Sequence, residues 1–596
     1  MVKEKWMVHS KKADFDGFAK ALGVSPIVAR IMRNKDLESI DAQRQFLDNS
    51  LENLYSPSLM KDMDKAIDII RLKIEEGKHI RVIGDYDIDG ICSTYILVKG
   101  LQGVGALVSY DIPDRIVDGY GINENLIKKA YDEGVDTIVT CDNGIAAIEQ
   151  IKYAKELGMT VIVTDHHEVP YVKDEVTGEI TYKRVQGDAV VNPKQPDCLY
   201  PFKVLCGGAI AYKVIECLYE KLGVECRIEK TQYFIEYAAI ATIGDVVDLV
   251  GENRIIAANG LKRLQTTSNI GLDKLMDMCG IKRERLSSYH IGFVVGPCLN
   301  ATGRLESAKK GIELLMCENF NEAERLASEL IELNSVRKSM TEEGVKEAIA
   351  MCESMEDSNV LVVYLPNIHE SIAGIIAGRV REHFNKPVFV VTNSADEIEE
   401  SLIKGSGRSI PGYNMFEALI ECDEHLLKYG GHEMAAGLSL NKEKINDFAR
   451  ALNEKCKLTE EDFVRKVWID VPMPLAYATE ELINQLSLLE PFGKGNEKPV
   501  FATKNVRIKS LRVMGVNQNM CKLSVSDDSG KTVDALVFAS IYPAFMEFLQ
   551  EKFGEEQIRK AKMSIENDIV LSIIYYPDIN EYNGRRTVQI IVNNYC

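Results

Sequence analysis

Apolar and polar positions follow two different rhythms along the 596 residues. In the first half, short apolar runs alternate with helical spacing. From Met63 to Glu76 the residues Ile67, Ile70 and Ile74 recur on one helical face, and Gly77 stops the helix. A run from Ile80 to Ile83 then reads as a buried strand, as do Thr137–Thr140 and Thr160–Thr164, with helices expected at Ile91–Leu101, Ile145–Leu157 and Thr231–Ile243. Strands alternating with helices in this way predict a parallel sheet covered on both faces. The stretch Asn321–Cys352, with Leu326, Leu330 and Leu333 on one stripe, reads either as a helical connector between two lobes or as an ordinary surface helix. Strands at Val360–Tyr364 and Pro387–Val391, with a helix around Arg379, predict a smaller α/β lobe beyond it.

Past Val467 the rhythm changes to short strands: Val506–Val513, Lys522–Val525, Thr532–Phe538, Val570–Ile574 and Thr587–Val592, with one helix at Ile541–Phe553. Five strands and one helix fit a small Greek-key barrel of the OB-fold type. No internal repeat, low-complexity run or Pro-rich linker marks the borders. The changes of pattern therefore set them: an N-terminal cap region at 1–60, a catalytic domain at 61–315, a connector at 316–352, a second α/β domain at 353–462 and the barrel at 463–596.

Composition narrows the class. A net charge of −19 argues against a protein that coats nucleic acid, so any polyanion site must be a locally basic channel. The 14 cysteines are scattered without a C-x-x-C clip and read as apolar fillers in a reducing compartment. No apolar run approaches a membrane span and the start lacks a signal-peptide core, so a cytoplasmic protein with no membrane contact is expected.

The chemistry gathers at strand ends. The first strand ends in Asp85-Tyr-Asp87-Ile-Asp89-Gly90, the next in Cys141-Asp142-Asn-Gly144, and the third in Asp165-His166-His167-Glu168; Gly244-Asp245 follows a small-residue helix. Ligands in open α/β sheets collect beyond the carboxyl ends of the strands, which brings these distant segments into one pocket. Like charges at every second position need a cation, and an oxygen-rich, cysteine-free set with some imidazole suits magnesium or manganese. The helix after Asp89 is expected to aim its free N–H groups at a phosphate. The plain alternative is a strand-end turn with solvated aspartates. Two ions sharing a water would hydrolyse a phosphoester or phosphoanhydride. Isolated histidines such as His290 and His383 read as packed or surface residues. Farther on, Gly296-Pro-Cys-Leu-Asn300-Ala-Thr302-Gly303-Arg304 reads as a loop that brings Asn300 and Arg304 to an anion. Lys404-Gly-Ser406-Gly407-Arg408 and Tyr429-Gly-Gly431-His432 through Gly437 read as glycine-rich loops able to cradle a phosphate, with Ser406, Arg408 and His432 as donors.

In their order, the Asp85-Tyr-Asp87-Ile-Asp89, Cys141-Asp142-Asn-Gly144, Asp165-His166-His167 and Gly244-Asp245-Val-Val segments resemble the motifs of the DHH phosphoesterase superfamily. Gly405-Ser-Gly-Arg408-Ser and Gly430-Gly-His432-Glu-Met-Ala-Ala-Gly437 resemble its associated DHHA1 domain. Within the superfamily, Gly296-Pro-Cys-Leu-Asn300-Ala-Thr-Gly-Arg304 and Glu490-Pro-Phe-Gly-Lys-Gly-Asn496 are similar to its bacterial single-strand-specific DNA exonucleases, from about Trp6 to the last strand. The resemblance implies removal of nucleotides from the 5′ end of single-stranded DNA with Mn²⁺ or Mg²⁺, two ions, in repair and recombination. By position it implies Asp87, Asp89, Asp142, His166 and Asp245 as principal ligands, with Asp85 and Asp165 assisting and His167 facing the scissile phosphate. Arg304, Arg408 and His432, with Arg379 as a lesser candidate, would hold the phosphates. It further implies a monomer fed by a RecQ-type helicase and a single-strand-binding protein. One departure is Cys298, where the family usually carries an arginine, which removes a cation from the channel. Two other readings remain: a phosphodiesterase or phosphatase for short oligoribonucleotides, cyclic dinucleotides or nucleoside bisphosphates, and an inactive scaffold in replication.

Overall fold

The computed structural model describes residues 3–115, 119, 121–174, 177–306, 308–355, 357–394, 401–582 and 584–596, which divide into two compact units. The first comprises Met1–Lys3, Ser50–Arg465 and Gly493–Gly495; the second comprises Glu4–Asn49, Lys466–Phe492 and Asn496–Cys596.

The first unit opens with a parallel sheet of β1 (His79–Ile83), β2 (Leu107–Asp111), β3 (Thr137–Cys141), β4 (Thr160–Thr164) and β5 (Ala189–Val191), ordered β2-β1-β3-β4-β5. Every pairing is parallel. All five residues of β3 are buried, as a strand covered on both faces requires, which is why these runs lack alternation. Three helices, α1 (Ile88–Gln102), α2 (Gly207–Lys221) and α3 (Ile235–Gly244), share one core with this sheet through residues such as Tyr95, Ile210 and Ile240. Their chain-long apolar character marks them as interior helices.

Residues Gly296–Leu305, expected as a loop, form a helix, α4, preceded by a π-helical turn at Ile291–Val295. Its turn-forming residues serve helix needs instead. Pro297 follows directly on the π-helical turn, where the α-helical ladder is already interrupted, and Gly303 lets the backbone approach Tyr86, whose carbonyl oxygen would lie 2.5 Å from a Cβ there. A 34-residue helix, α5 (Phe320–Glu353), follows.

The smaller lobe of this unit holds β6 (Leu361–Tyr364), α6 (Ala373–Phe384), β7 (Val388–Asn393), β8 (Leu402–Arg408), β9 (Lys428–His432) and β10 (Ala435–Asn441), with strands ordered β9-β10-β8-β7-β6. Both glycine-rich stretches expected as loops are therefore strands: Gly405 pairs with Leu438, and Gly431 with Ala436. Packing demands the glycine, since a Cβ on Gly405 would lie 2.6 Å from the Val391 side chain.

In the second unit, β11 (Phe501–Met514), β12 (Met520–Ser526), β13 (Thr532–Val537), β14 (Val570–Tyr582) and β15 (Arg585–Tyr595) run β11-β12-β13-β15-β14, and β14 closes back on β11. A helical stretch, α7 (Tyr542–Lys562), broken at Gly554 (φ 81°), lies between β13 and β14. Residues 1–60, expected as a separate cap region, do not stand alone. Val28, Ile31 and Met32 are fully buried in the same core as Leu475, Phe501 and Phe545, so Glu4–Asn49 belongs to the barrel unit and Ser50 onward to the first. No helix among the described residues is long and apolar enough to cross a membrane.

Candidate metal centre

The acidic segments converge at the carboxyl end of the parallel sheet. Asp85 follows β1, Asp142 follows β3, Asp165, His166 and His167 follow β4, and Asp245 caps the C-terminus of α3. Three groups have ligand atoms within 4.8 Å of one another: Asp85, Asp87 and Asp142; Asp89, His166 and Asp245; and Asp142, His166 and His167. The His166 Nε2 atom lies 2.9 Å from Asp142 Oδ1, 3.5 Å from Asp89 Oδ2 and 3.8 Å from Asp245 Oδ2. Asp142 therefore belongs to the first and third groups and reaches His166 of the second, a placement that suits a carboxylate shared between two ions.

Each side chain is held by its backbone surroundings. Asp87 is the N-cap of α1, and one of its oxygens accepts from Asp89 N–H (2.9 Å) and Gly90 N–H (3.1 Å). Asn300 on α4 accepts the Ile88 N–H at 2.8 Å. These N–H groups of α1 are thus taken by side chains, which corrects the expectation that they await a phosphate and assigns Asn300 a positioning role at the helix start. A different helix end does the anchoring. Gly207 and Gly208, the first residues of α2, donate to the two oxygens of Asp89 at 2.7 and 2.6 Å. A side chain is excluded there, because a Cβ on Gly207 would lie 2.7 Å from that of Asp142. Sequence reasoning missed this glycine pair; its only signal was two small residues opening an apolar helix.

Asp165 is saturated by the protein. Its Oδ1 accepts from the backbone N–H of His166 (2.7 Å) and His167 (3.1 Å) and from His167 Nδ1 (2.7 Å), while Oδ2 accepts from Ile145 N–H (2.8 Å). It orients the two histidines rather than offering a ligand atom. Accordingly, Asp165→Asn is expected to slow hydrolysis about 10- to 100-fold at saturating metal. Single-turnover rates check this, and a wild-type rate would show that His167 needs no orienting carboxylate.

Electrostatics set this cluster apart from a solvated turn. Burial, reinforced by Asp87, pushes Asp85 up to about 8. Burial and then Asp89 push Asp245 up to about 8 as well. Asp87 and Asp142 are raised by burial and by their carboxylate neighbours, Asp89 first in each case. Burial lowers His166, leaving a neutral imidazole suited to coordination. At His167 burial opposes protonation, but the Asp165 hydrogen bond and charge outweigh it and carry the ring up to about 9. Several buried carboxylates facing one imidazolium form a strongly under-neutralised set, and hard oxygen donors with one neutral imidazole fit two divalent cations of the magnesium or manganese kind.

Beside the cluster, Arg304 donates to the Ser371 carbonyl at 2.6 Å and Ser371 Oγ returns a bond to the Arg304 carbonyl at 3.0 Å, tying α4 to the smaller lobe. Burial, then Arg115 and Arg337, lower Arg304 to about 10. A cavity of about 540 Å³ is lined by Tyr86, Arg115, Lys404, Ser406, Lys428 and Tyr429, among others. The Arg115 guanidinium lies 5.0 Å from the Tyr86 ring centroid. Of the residues expected to hold phosphates, Ser406 lines this cavity, and Arg408 folds back onto the Gly407 carbonyl (2.7 Å) beside Gly374. Arg379 and His432 are exposed on α6 and β9 and do not line it. Tyr86, Arg115 and Lys428 were not singled out from the sequence. Cys298, at the departure from the family pattern, is 2 % exposed and accepts a bond from Asn334 Nδ2 at 3.4 Å, so it faces α5.

Family models match this chain as the DHH family N-terminal domain over residues 79–244, the DHHA1 domain over 357–458 and the RecJ OB domain over 469–594. The single-stranded-DNA-specific exonuclease RecJ of Bacillus subtilis is 35 % identical over 596 residues, covering 99 % of this chain and 71 % of that protein. The chain belongs to the RecJ family. The Escherichia coli RecJ is 31 % identical, with 96 % of this chain and 95 % of that protein covered. Among solved structures, Thermus thermophilus RecJ in complex with Mn²⁺ superposes with a TM-score of 0.80 at 26 % identity, covering 100 % of this chain and 80 % of that one. The same RecJ with Mg²⁺ gives 0.75 at 25 % identity.

Proposed function

We propose that this RecJ-family protein is a single-stranded-DNA-specific exonuclease that hydrolyses phosphodiester bonds from the 5′ end with Mn²⁺ or Mg²⁺, in repair and recombination. The observation that carries the reading is the meeting of six aspartates and two histidines from four chain segments in one buried, under-neutralised cluster. Family membership supports the substrate class. Asp85, Asp87 and Asp142 would hold one ion and Asp89, His166 and Asp245 the other, with Asp142 shared. When bound, two such ions lower the pKa of a shared water and neutralise the phosphoryl oxygens.

The protein's own residues supply the remaining steps. Asp165 holds His167 through Nδ1, which leaves Nε2–H for a non-bridging oxygen of the scissile phosphate. Arg304 and Arg115, beside Tyr86, add positive charge along the strand, and the cavity with Lys404 and Lys428 takes a nucleotide-sized group. The chain's net charge of −19 confines anion binding to this lining. If about three phosphates are contacted, affinity for a single strand falls about 20-fold between 50 and 200 mM salt. Fluorescence anisotropy tests this, and a flat response would remove the phosphate-tracking channel. The barrel, as an OB fold, would add a stacking surface, and a RecQ-type helicase and single-strand-binding protein would supply the strand. The thiols, none paired among the described residues, support a reducing, cytoplasmic setting.

Degradation of 5′- and 3′-labelled single- and double-stranded oligonucleotides with magnesium, manganese or chelator tests the proposal. Release of labelled mononucleotide from the 5′ end of single strands alone, and only with metal, is expected. Strong preference for a dinucleotide over a long strand would favour the short-oligonucleotide phosphodiesterase reading.

A further inference from the structure

Two large aromatic side chains stand in solvent close to the metal centre. Tyr289 and Phe293 are 62 % and 72 % exposed, yet their rings stack on each other with centroids 5.1 Å apart and 25° between planes. Both lie on the helical segment that begins at Ser288, passes through the π-helical turn Ile291–Val295 and continues as α4. Glycines along that segment bring it against the elements that carry the catalytic cluster. At its start, a Cβ on Gly292 would lie 3.7 Å from Ile243, two residues before Asp245; farther on, Gly296 abuts Ile88 and Gly303 abuts the Tyr86 carbonyl.

The segment therefore runs past the cluster from its Asp245 side to its Asp85–Tyr86 side, a distance of about 16 Å between Gly292 and Gly303 at helical rise. Arg304, Arg115 and the cavity lie at the second end. The aromatic pair lies at the first, flanking Gly292, which abuts Ile243. A π-helical turn in a helix adjoining a reaction centre is a common mark of a functional segment. Exposed aromatic faces next to a centre that holds phosphate suit the π-face of a nucleobase whatever its identity.

Resting on the reading of single-stranded DNA as substrate, we propose that Tyr289 and Phe293 form a base-stacking platform that seats the strand on the Asp245 side of the scissile phosphate, across the cluster from the Tyr86–Arg115 cavity. The platform positions the incoming strand and does not touch the reacting atoms. It favours strands long enough to reach it over dinucleotides, which occupy only the centre and the cavity.

The test uses the full chain with Ca²⁺ to prevent hydrolysis, and a fluorescein-labelled 20-mer of deoxythymidylate. Tyr289→Ala/Phe293→Ala is expected to weaken anisotropy-detected binding about 5- to 150-fold, the loss for one stacked base. In turnover with Mn²⁺, KM for the 20-mer rises while kcat stays within about 2-fold and the kinetics for a dinucleotide are unchanged. Phe293→Trp retains binding, and its added fluorescence is quenched on addition of the 20-mer. Wild-type affinity in the double variant, or an unquenched Trp signal, overturns the platform, as does equal damage to 20-mer and dinucleotide turnover. If the wild-type protein binds the strand but hydrolyses none with any metal, the functional reading fails instead, and the binding comparison still decides the platform.

Discussion

Asp142→Ala lowers hydrolysis of single-stranded DNA by about three orders of magnitude or more, while the protein remains folded. Asp142 belongs to two of the three ligand groups and its Oδ1 lies 2.9 Å from His166, so its loss disturbs both ion positions together. Removing it relieves repulsion in the metal-free state, because Asp89, Asp87, Asp85 and Asp245 all raise its carboxyl after burial does. Against that relief stands the backbone. Asp142 adopts φ 62°, a left-handed conformation that Asp and Asn tolerate better than Ala, at a cost of about 1 kcal/mol. Asp142→Asn is therefore the cleaner variant: it keeps the backbone preference and much of the shape and removes the charge. Both variants should lose the thermal stabilisation that Mn²⁺ gives the wild type. Single-turnover rates and melting temperatures with and without Mn²⁺ check this. A variant that digests single strands at the wild-type rate would falsify the shared-ligand assignment.

What the sequence showed of this site follows from where its chemistry sits. Asp85, Asp142 and Asp165 each follow a short, mostly buried strand, so their convergence could be argued from the parallel-sheet rule alone. Residues that act through packing or backbone were harder to see. Gly207 and Gly208 carry no charge, and their hold on Asp89 exists only once α2 and α1 meet across more than a hundred residues. Asn300 looked like a ligand for an anion because Asn, Gly and Pro cluster in turns, whereas its partner is the Ile88 N–H. The glycine-rich strands β8 and β9 failed for a related reason: strand propensity is poor for glycine, and contact with Val391 and Ala436 overrides it. The N-terminal residues showed mixed short helical patterns, but nothing in them marked Ile31 and Met32 as completing the barrel core. Arg115 follows β2 in a stretch whose register against Tyr86 only the tertiary structure fixes.

Stripping the divalent ions is expected to abolish activity and to destabilise the protein in a pH-dependent way. In the metal-free fold Asp85 and Asp245 titrate at about 8, far above the ordinary carboxylate range that they regain on unfolding. Between about pH 4 and 8 the folded state therefore holds more protons than the unfolded chain, and stability falls as pH rises through this window. Bound cations replace those protons, so their contribution grows over the same interval, and metal uptake releases protons. Melting temperature should differ by about 5 °C or more between metal-loaded and EDTA-treated protein at pH 8, with a smaller difference at pH 5.5. Differential scanning calorimetry across that range, with manganese restored after chelation, measures it. A gap that stays constant or widens toward acid would mean that the raised carboxylates are not the groups the ions displace protons from, and the ligand set would have to be sought elsewhere in the first unit.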